Sequence, residues 1–484
     1  MKTENIKKNY FFNLLYEVIV VLYPIIVTPY LSRILLPEGI GIKSYTYAMM
    51  TYFYYLGMLG IDIYGQREIS FARKDEKLRS KIFYEIYILK FLTMGISIGI
   101  YVLCVFLTPF GGNYKIYFLC WVIFLFDAMI SVKWYMAGIN YFKQLSLVSI
   151  IVKVISIFAI FIFIKTKEDL YKYIIILGCV PLLSDLLIMF FVKKTTVKVS
   201  FSELHVFRHL KGTIVFFIPT IASAIYSTID KAMLTSLVGE EETGFYEQAN
   251  KLITLSYTIV SALFTVLRST CCYLVERDDQ ESQQKYKDVI KEYLFLTLML
   301  SLPLTFGILS ISKDFVPLFF GEDFIDSTAV LQILSPLILL ISISQFLNST
   351  VIIPKKKTLK IDAFYFVAAA INMLFNFLLI KSLGARGAAI ASVISELFLM
   401  GVFLVFSRNE VGIKLFCLCG YRYLFAAVIM GLGIFIFSYF VDWTLWVKVV
   451  IEIVEGISIY FSILLLFKDK YLFKLIKETF GKFF

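Results

Sequence analysis

The sequence predicts an all-α polytopic membrane protein, and three observations carry that prediction. Hydrophobic residues fill 59% of 484 positions and charged residues only 17%, outside the range of a water-soluble globular chain. The apolar residues come in continuous runs about 20 residues long, the length at which a helix crosses hydrocarbon; a barrel strand would alternate apolar and polar over about ten. The connections are alternately rich and poor in Lys and Arg, as expected of loops on opposite sides of a membrane.

About fourteen such runs can be placed, over 10–31, 40–62, 82–109, 115–137, 146–165, 171–192, 212–236, 248–275, 292–312, 328–352, 359–380, 387–407, 416–441 and 445–467. The N-terminal "MKTENIKKNYFFNLLYEVIVVLYP" has a basic start, but its apolar run is too long for a signal peptide and lacks a small-residue cleavage site, so it is expected to remain as the first helix. The seven cysteines lie in or beside these runs without CxxC or zinc-ligand spacing, which points to neither a disulfide framework nor a metal site.

With the N-terminal tail cytoplasmic, one set of loops collects Lys2, Lys7 and Lys8; Arg67, Arg73, Lys74, Lys77, Arg79 and Lys81; Lys193, Lys194, Lys198, Arg208 and Lys211; and then Lys355, Lys356 and Lys357. The C-terminal tail, with Lys468, Lys470, Lys474, Lys477 and Lys482, falls on the same side. The opposite loops hold few cations and the acids Glu240, Glu241, Glu242, Glu322, Asp323 and Asp326. Both termini are therefore expected to be cytoplasmic, and the net charge of +11 reads as topology and attraction to anionic lipid, not as a nucleic-acid footprint.

Placing Gly41 on Gly244 aligns "LPEGIGIKSYTYAMMTYFYYLGMLGID" with "GEEETGFYEQANKLITLSYTIVSALFT". In the first, Lys43, Tyr47, Thr51, Tyr54, Met58 and Asp62 recur at helical steps on one face; in the second, Tyr246, Asn250, Thr254, Tyr257, Ser261 and Thr265 do the same. The helix before the second carries Thr220, Ser223, Ser227 and Asp230 as a stripe, and "LGARGAAIASVISELF" is a third echo. Two six-helix lobes related by a pseudo-two-fold axis along the membrane normal are expected. The first lobe takes 1–200, an amphipathic basic linker 201–211, the second lobe 212–407, and two further helices with a basic tail 408–484.

Glu17, Lys43, Asp62, Lys90, Asp127, Lys153, Asp185, Asp230, Lys231, Arg268 and Glu396 fall within or at the edge of the runs. An ionised group at mid-bilayer costs about 2.5–3.5 kcal/mol on insertion scales, so these residues are expected to face a wet interior or one another. Lys43, Asp62 and Arg268 also lie near helix ends, where the headgroup region is within reach. The histidines, His205 and His209, are in the linker and are expected to be solvated.

Four stretches, "PYLSRILLPEGIGIKSYTYAMMTYFYYLGMLGIDIYGQREIS", "FFIPTIASAIYSTIDKAMLTSLVGEEETGFYEQANKL", "FVPLFFGEDFIDSTAVLQILSPL" and "INMLFNFLLIKSLGARGAAIASVISE", resemble Wzx-type polysaccharide flippases of the multidrug/oligosaccharidyl-lipid/polysaccharide exporter superfamily. The resemblance spans nearly the whole chain. It implies a MATE-like, V-shaped pair of lobes around a central cavity, in a bacterial cytoplasmic membrane. It further implies translocation of an undecaprenyl-diphosphate-linked oligosaccharide, with membrane lipids, a polysaccharide polymerase and chain-length machinery as partners.

On that reading Lys43, Lys90, Lys153, Lys231 and Arg268 meet the diphosphate, with Tyr47 and Asn250 among the groups that meet sugar hydroxyls. Glu17, Asp62, Asp127, Asp230 and Glu396 are candidates for coupling to H⁺ or Na⁺, with no other cofactor. Two alternatives stay open: an ion-coupled organic-cation antiporter, which would want an acid-dominated cavity with few lysines, and a flippase for a lipid-linked peptidoglycan precursor. An enzyme acting on the same lipids is expected to carry a catalytic extramembrane loop. Here the first outer loop is "SRILLPEG", and no Walker A sequence or nucleophile elbow is present.

Overall fold

A computed structural model describes residues 3–108, 111–277, 279–441 and 443–480, and their side chains except for 3–18, 265–266, 358–360, 362, 413–419, 475–476 and 478–480. The described residues form helices joined by turns and short loops, with no strand among them. Twelve segments among them are long and apolar enough to cross a membrane. The chain divides into two compact units, Met1–Thr235 and Ser236–Phe484.

The first unit contains α1 (Thr3–Met58), α2 (Ile61–Phe71), α3 (Glu76–Leu107), α4 (Lys115–Ile130), α5 (Lys133–Gly138), α6 (Phe142–Phe163), α7 (Leu170–Lys193) and most of α8 (Leu210–Val238). α1 packs on α3, α4 and α6, and α7 on α4 and α6. The second unit contains α9 (Glu240–Arg277), α10 (Gln280–Phe320), α11 (Ser327–Leu334), α12 (Pro336–Leu347), α13 (Thr358–Leu383), α14 (Ala385–Ser407), α15 (Ile413–Phe440), α16 (Leu445–Leu466) and α17 (Lys470–Phe480). Its core runs from α9 and α10 into α15 and α16, with Val260, Leu294, Tyr423 and Leu464 fully buried.

The burial pattern is inverted relative to a soluble protein. Glu85, Lys90, Asp185 and Glu452 have no exposed surface, whereas Ile96, Phe158, Phe190, Phe435 and Leu466 stand out from the helices. Outward faces that are apolar and interiors that hold the charges are what hydrocarbon solvent selects.

α1 is broken at Leu36, whose backbone (φ 59, ψ 172) is non-helical. Pro37 forces the residue before it toward an extended ψ, and a straight 53-residue segment Ile19–Phe71 would measure about 80 Å against a hydrocarbon core of about 30 Å. The break therefore separates the runs expected over 10–31 and 40–62. Gly239 (φ 108), between α8 and α9, and Gly384 (φ 57), between α13 and α14, mark the corresponding breaks. Leu36 precedes Gly41 by the same offset as Gly239 precedes Gly244, so the internal repeat in the sequence is also a repeat of where the chain leaves the helix.

Gly384 shows why one of these positions needs glycine. Its φ and ψ of 57° and −135° are closed to residues with a Cβ, and a Cβ there would meet the Glu242 carboxylate. That carboxylate accepts a hydrogen bond from the Ala385 N–H (2.6 Å) and so caps the positive end of α14. Gly384→Ala is expected to cost about 1–3 kcal/mol in backbone strain and to disturb the cap as well. Thermal unfolding in detergent would measure it against Gly401→Ala, a mid-helix position facing open space, where no loss is expected.

Candidate functional site

Six helices of the first unit bring polar groups to one place. Lys133, at the start of α5, forms a 2.8 Å ion pair with the fully buried Asp185 of α7. Lys90 of α3, also fully buried, donates to the carbonyl of Ser131, the residue that ends α4; it thus sits at the negative end of that helix. Asp127 of α4 faces Asp185, and each of these acids keeps one buried carboxyl oxygen without a hydrogen-bond partner. Asp62 of α2, within reach of the Tyr54 hydroxyl of α1, completes the group.

Two neighbouring cavities open on this cluster. One, of about 400 Å³, is lined by Tyr54, Asp62, Gln66, Asp127, Ser131 and Lys133. The other, of about 490 Å³, lies among α4, α6 and α7 and presents Lys133, Lys153, Ser146, Ser149 and Ser184. Lys133 belongs to both walls, and both volumes are in the range of small-ligand sites. One cavity is edged by carboxylates and the other by ammonium and hydroxyl donors, so they offer opposite charge within one helical unit.

The remaining candidates are dispersed. Lys43 is half-buried with its Nζ 5.5 Å from the ring of Tyr47, which itself packs at 5.2 Å on Trp121. Lys153 has its Nζ 5.8 Å from the ring of Tyr23. Asp230 is buried and Lys231 half-buried on α8, both near Tyr52 of α1, while Ser223 and Ser227 of the same stripe are exposed. In the second unit Glu396 of α14 is buried and Arg268 of α9 exposed, with Tyr257 within electrostatic reach of both. Asn250 is half-buried on α9, and the nearby Tyr246 hydroxyl bonds Ser392 of α14 at 2.9 Å. Glu17 lies outside the described side chains. Among the described residues no His, Cys, Asp and Glu group is arranged to hold a metal ion.

The histidine reading needs correction. His205 is exposed, but His209 is buried, with its Nδ1 2.8 Å from the Tyr64 hydroxyl and its Nε2 3.0 Å from Glu85. Glu85 also accepts from the His205 N–H at 2.7 Å and pairs with Arg208 at 2.5 Å. The segment expected to be a solvated linker is thus fastened to the first unit through one buried carboxylate. A helix-interior glutamate in "KIFYEIYILK" was the available signal, but its partners lie more than 100 residues away.

A multi-span helical chain that stores its charges and polar cavities inside its helical units, with apolar outer faces, is a multi-pass membrane protein of the transporter class. The chain belongs to the polysaccharide biosynthesis protein family, which matches residues 6–267. It is 25% identical over 395 residues to an Escherichia coli protein named "Putative O-antigen transporter", covering 80% of this chain and 93% of the relative. A Haloferax volcanii protein named "Probable low-salt glycan biosynthesis flippase" is 27% identical over 180 residues, 37% of each chain.

Among solved structures, the lipid II flippase MurJ in its inward closed conformation matches with a TM-score of 0.66 at 16% identity, covering 95% of this chain and 99% of MurJ. An inward-facing MATE family multidrug transporter of the MOP superfamily matches with a TM-score of 0.64 at 13% identity, covering 83% and 97%. At these identities the likeness establishes the fold, and it bears out the MATE-like, all-helical architecture expected from the sequence.

Proposed function

We propose that the protein is a flippase that carries undecaprenyl-diphosphate-linked oligosaccharide repeat units from the cytoplasmic to the outer leaflet by alternating access, for cell-surface polysaccharide synthesis. It resides in a bacterial cytoplasmic membrane with both termini cytoplasmic, and polymerase and chain-length proteins take up its product. The names of its relatives, transporters and flippases, support transport over catalysis. The observation that carries the reading is the cavity where Lys133 and Lys153 stand beside Ser146, Ser149 and Ser184.

A diphosphate and its sugars lose their water on entering hydrocarbon and need replacement donors. Ammonium groups and hydroxyls supply them, while the polyprenyl tail stays in lipid. Lys43, Lys90, Lys231, Arg268, Tyr47 and Asn250 extend the donor set in this proposal. Asp62 and Asp127, across Lys133 from the basic cavity, are the groups we assign to coupling with H⁺ or Na⁺; Glu17, Asp230 and Glu396 are further candidates.

Purified protein in liposomes containing fluorescent undecaprenyl-diphosphate oligosaccharide tests the proposal. Protein-dependent exposure of the sugar to a membrane-impermeant modifying enzyme outside is the expected result. Absence of exposure with several oligosaccharides under either ion gradient, together with gradient-driven movement of a small organic cation, would replace it with the antiporter reading.

A further inference from the structure

A second polar cluster lies in the second unit, where α10 ends and α15 turns into α16. Asp314 of α10 receives the Ser438 hydroxyl at 2.5 Å and the Lys448 ammonium at 3.1 Å. Glu452, one turn beyond Lys448, faces the same Asp314 carboxyl and Ser438. Its side chain is fully buried, and neither carboxyl oxygen has a hydrogen-bond partner among the described residues. On its other side Glu452 forms part of the wall of an apolar groove of about 330 Å³, with Met299, Ile311, Met430, Gly456 and Tyr460.

Hydrogen-bond accounting assigns the proton in this cluster. Asp314 has two donors directed at it and is the ionised member of the pair. Glu452 has none: the Ser438 hydroxyl and the Lys448 ammonium are both directed at Asp314, and the ionised Asp314 carboxylate that also faces it accepts only. A buried carboxylate without a single donor costs several kcal/mol, whereas a carboxylic acid brings its own O–H and can donate to Asp314. Charge gives the same answer, since two carboxylates against one ammonium leave a net −1 beside an apolar wall, and one proton makes the cluster neutral.

We propose that Asp314, Ser438, Lys448 and Glu452 form a proton-binding site in which Glu452 takes up H⁺ from water, forming the O–H that donates to Asp314. The site is separate from the Asp62 and Asp127 cavity of the first unit and does not depend on the flippase reading. The elements packed on α16 are α10 and α15. The groups they turn toward Glu452 are Asp314 and the non-titrating Ser438, and α16 itself adds Lys448 and the half-buried Glu455. Release of the proton places unbalanced negative charge between the C-terminal hairpin and α10, so the packing of α16 on α10 loosens as pH rises.

Infrared difference spectroscopy of the full-length protein in nanodiscs, titrated from acid to alkaline pH, tests the site, with thermal unfolding at each pH on the same samples. The wild type is expected to show a protonated-carboxyl band that Glu452→Gln removes, and a melting temperature that falls as pH rises from the ordinary carboxylate range. Glu452→Gln keeps a neutral donor, so its melting temperature should match the wild type at acid pH and lose the fall as pH rises; Glu452→Ala should be less stable than Glu452→Gln throughout. A carboxyl spectrum unchanged by Glu452→Gln overturns the proposal. So does a melting temperature that rises with Na⁺ at fixed pH in the wild type but not in Glu452→Gln, because the bound cation would then be sodium.

Discussion

Glu85→Ala is expected to destabilise the first unit by about 1–3 kcal/mol for each buried donor left without a partner, Glu85 being fully buried although Arg208 is exposed. The substitution strands three donors together: the Arg208 guanidinium, the His209 ring and the His205 N–H. It also weakens the seat of Tyr64, whose hydroxyl meets the other nitrogen of His209. Glu85→Gln keeps the shape but not the charge and should lose about 1–3 kcal/mol. The readout is thermal unfolding in detergent, with limited proteolysis across 196–209. A Glu85→Ala protein as stable and as resistant as the wild type would mean that the segment is held elsewhere. Gly60 is the obvious alternative anchor, since at φ 74 it lies so close to the α8 backbone that a Cβ would come within 2.8 Å of Phe216 and Phe217.

The second large effect concerns transport. Lys153→Ala should lower the rate of headgroup translocation about 10–100-fold, as loss of one charge-assisted contact of about 1.5–3 kcal/mol implies, with a smaller loss of stability than Lys133→Ala. Its partner in the same cavity should behave differently. Lys133→Ala leaves Asp185 buried and unpaired, so stability and transport should fall together. Lys153→Arg restores charge with altered shape and is expected to recover part of the rate. The liposome assay measures the rates and thermal unfolding measures stability. Full transport by Lys153→Ala would remove this lysine from the site, and the same result with Lys43→Ala in addition would remove both lysines from the groups proposed to meet the diphosphate.

Much of the architecture was legible because the constraint that produces it is one-dimensional. A crossing helix needs about twenty apolar residues in a row, and a reversal needs a break, so "LLPEG", "LVGEE" and "LGARG" could be read without knowing any contact. The charged cluster was only half legible. Lys90, Asp62, Asp127 and Asp185 stood out as ions in apolar runs, but Lys133 sat near the edge of its run and drew no notice. Asp314 is hidden for a related reason: the ninth apolar run ends at 312, whereas α10 continues to Phe320. Glu452, in mid-run, carries the same signal as Lys90, an ion within an apolar run.

What the sequence determined by itself is the solvent, the helices and the points where they break, because hydrocarbon acts on each segment separately. The breaks at Leu36 and Gly239 recur at equivalent positions of the two repeats for that reason. Which charge meets which was decided only by the tertiary structure. The Lys133 pair with Asp185 spans 52 residues and the Glu85 bond to His209 spans 124, and each depends on the rotation of two helices about their own axes. That rotation is set by packing between helices, and the same packing turned Glu242, one of three adjacent acids in the first turn of α9, into the cap of a helix more than 140 residues away.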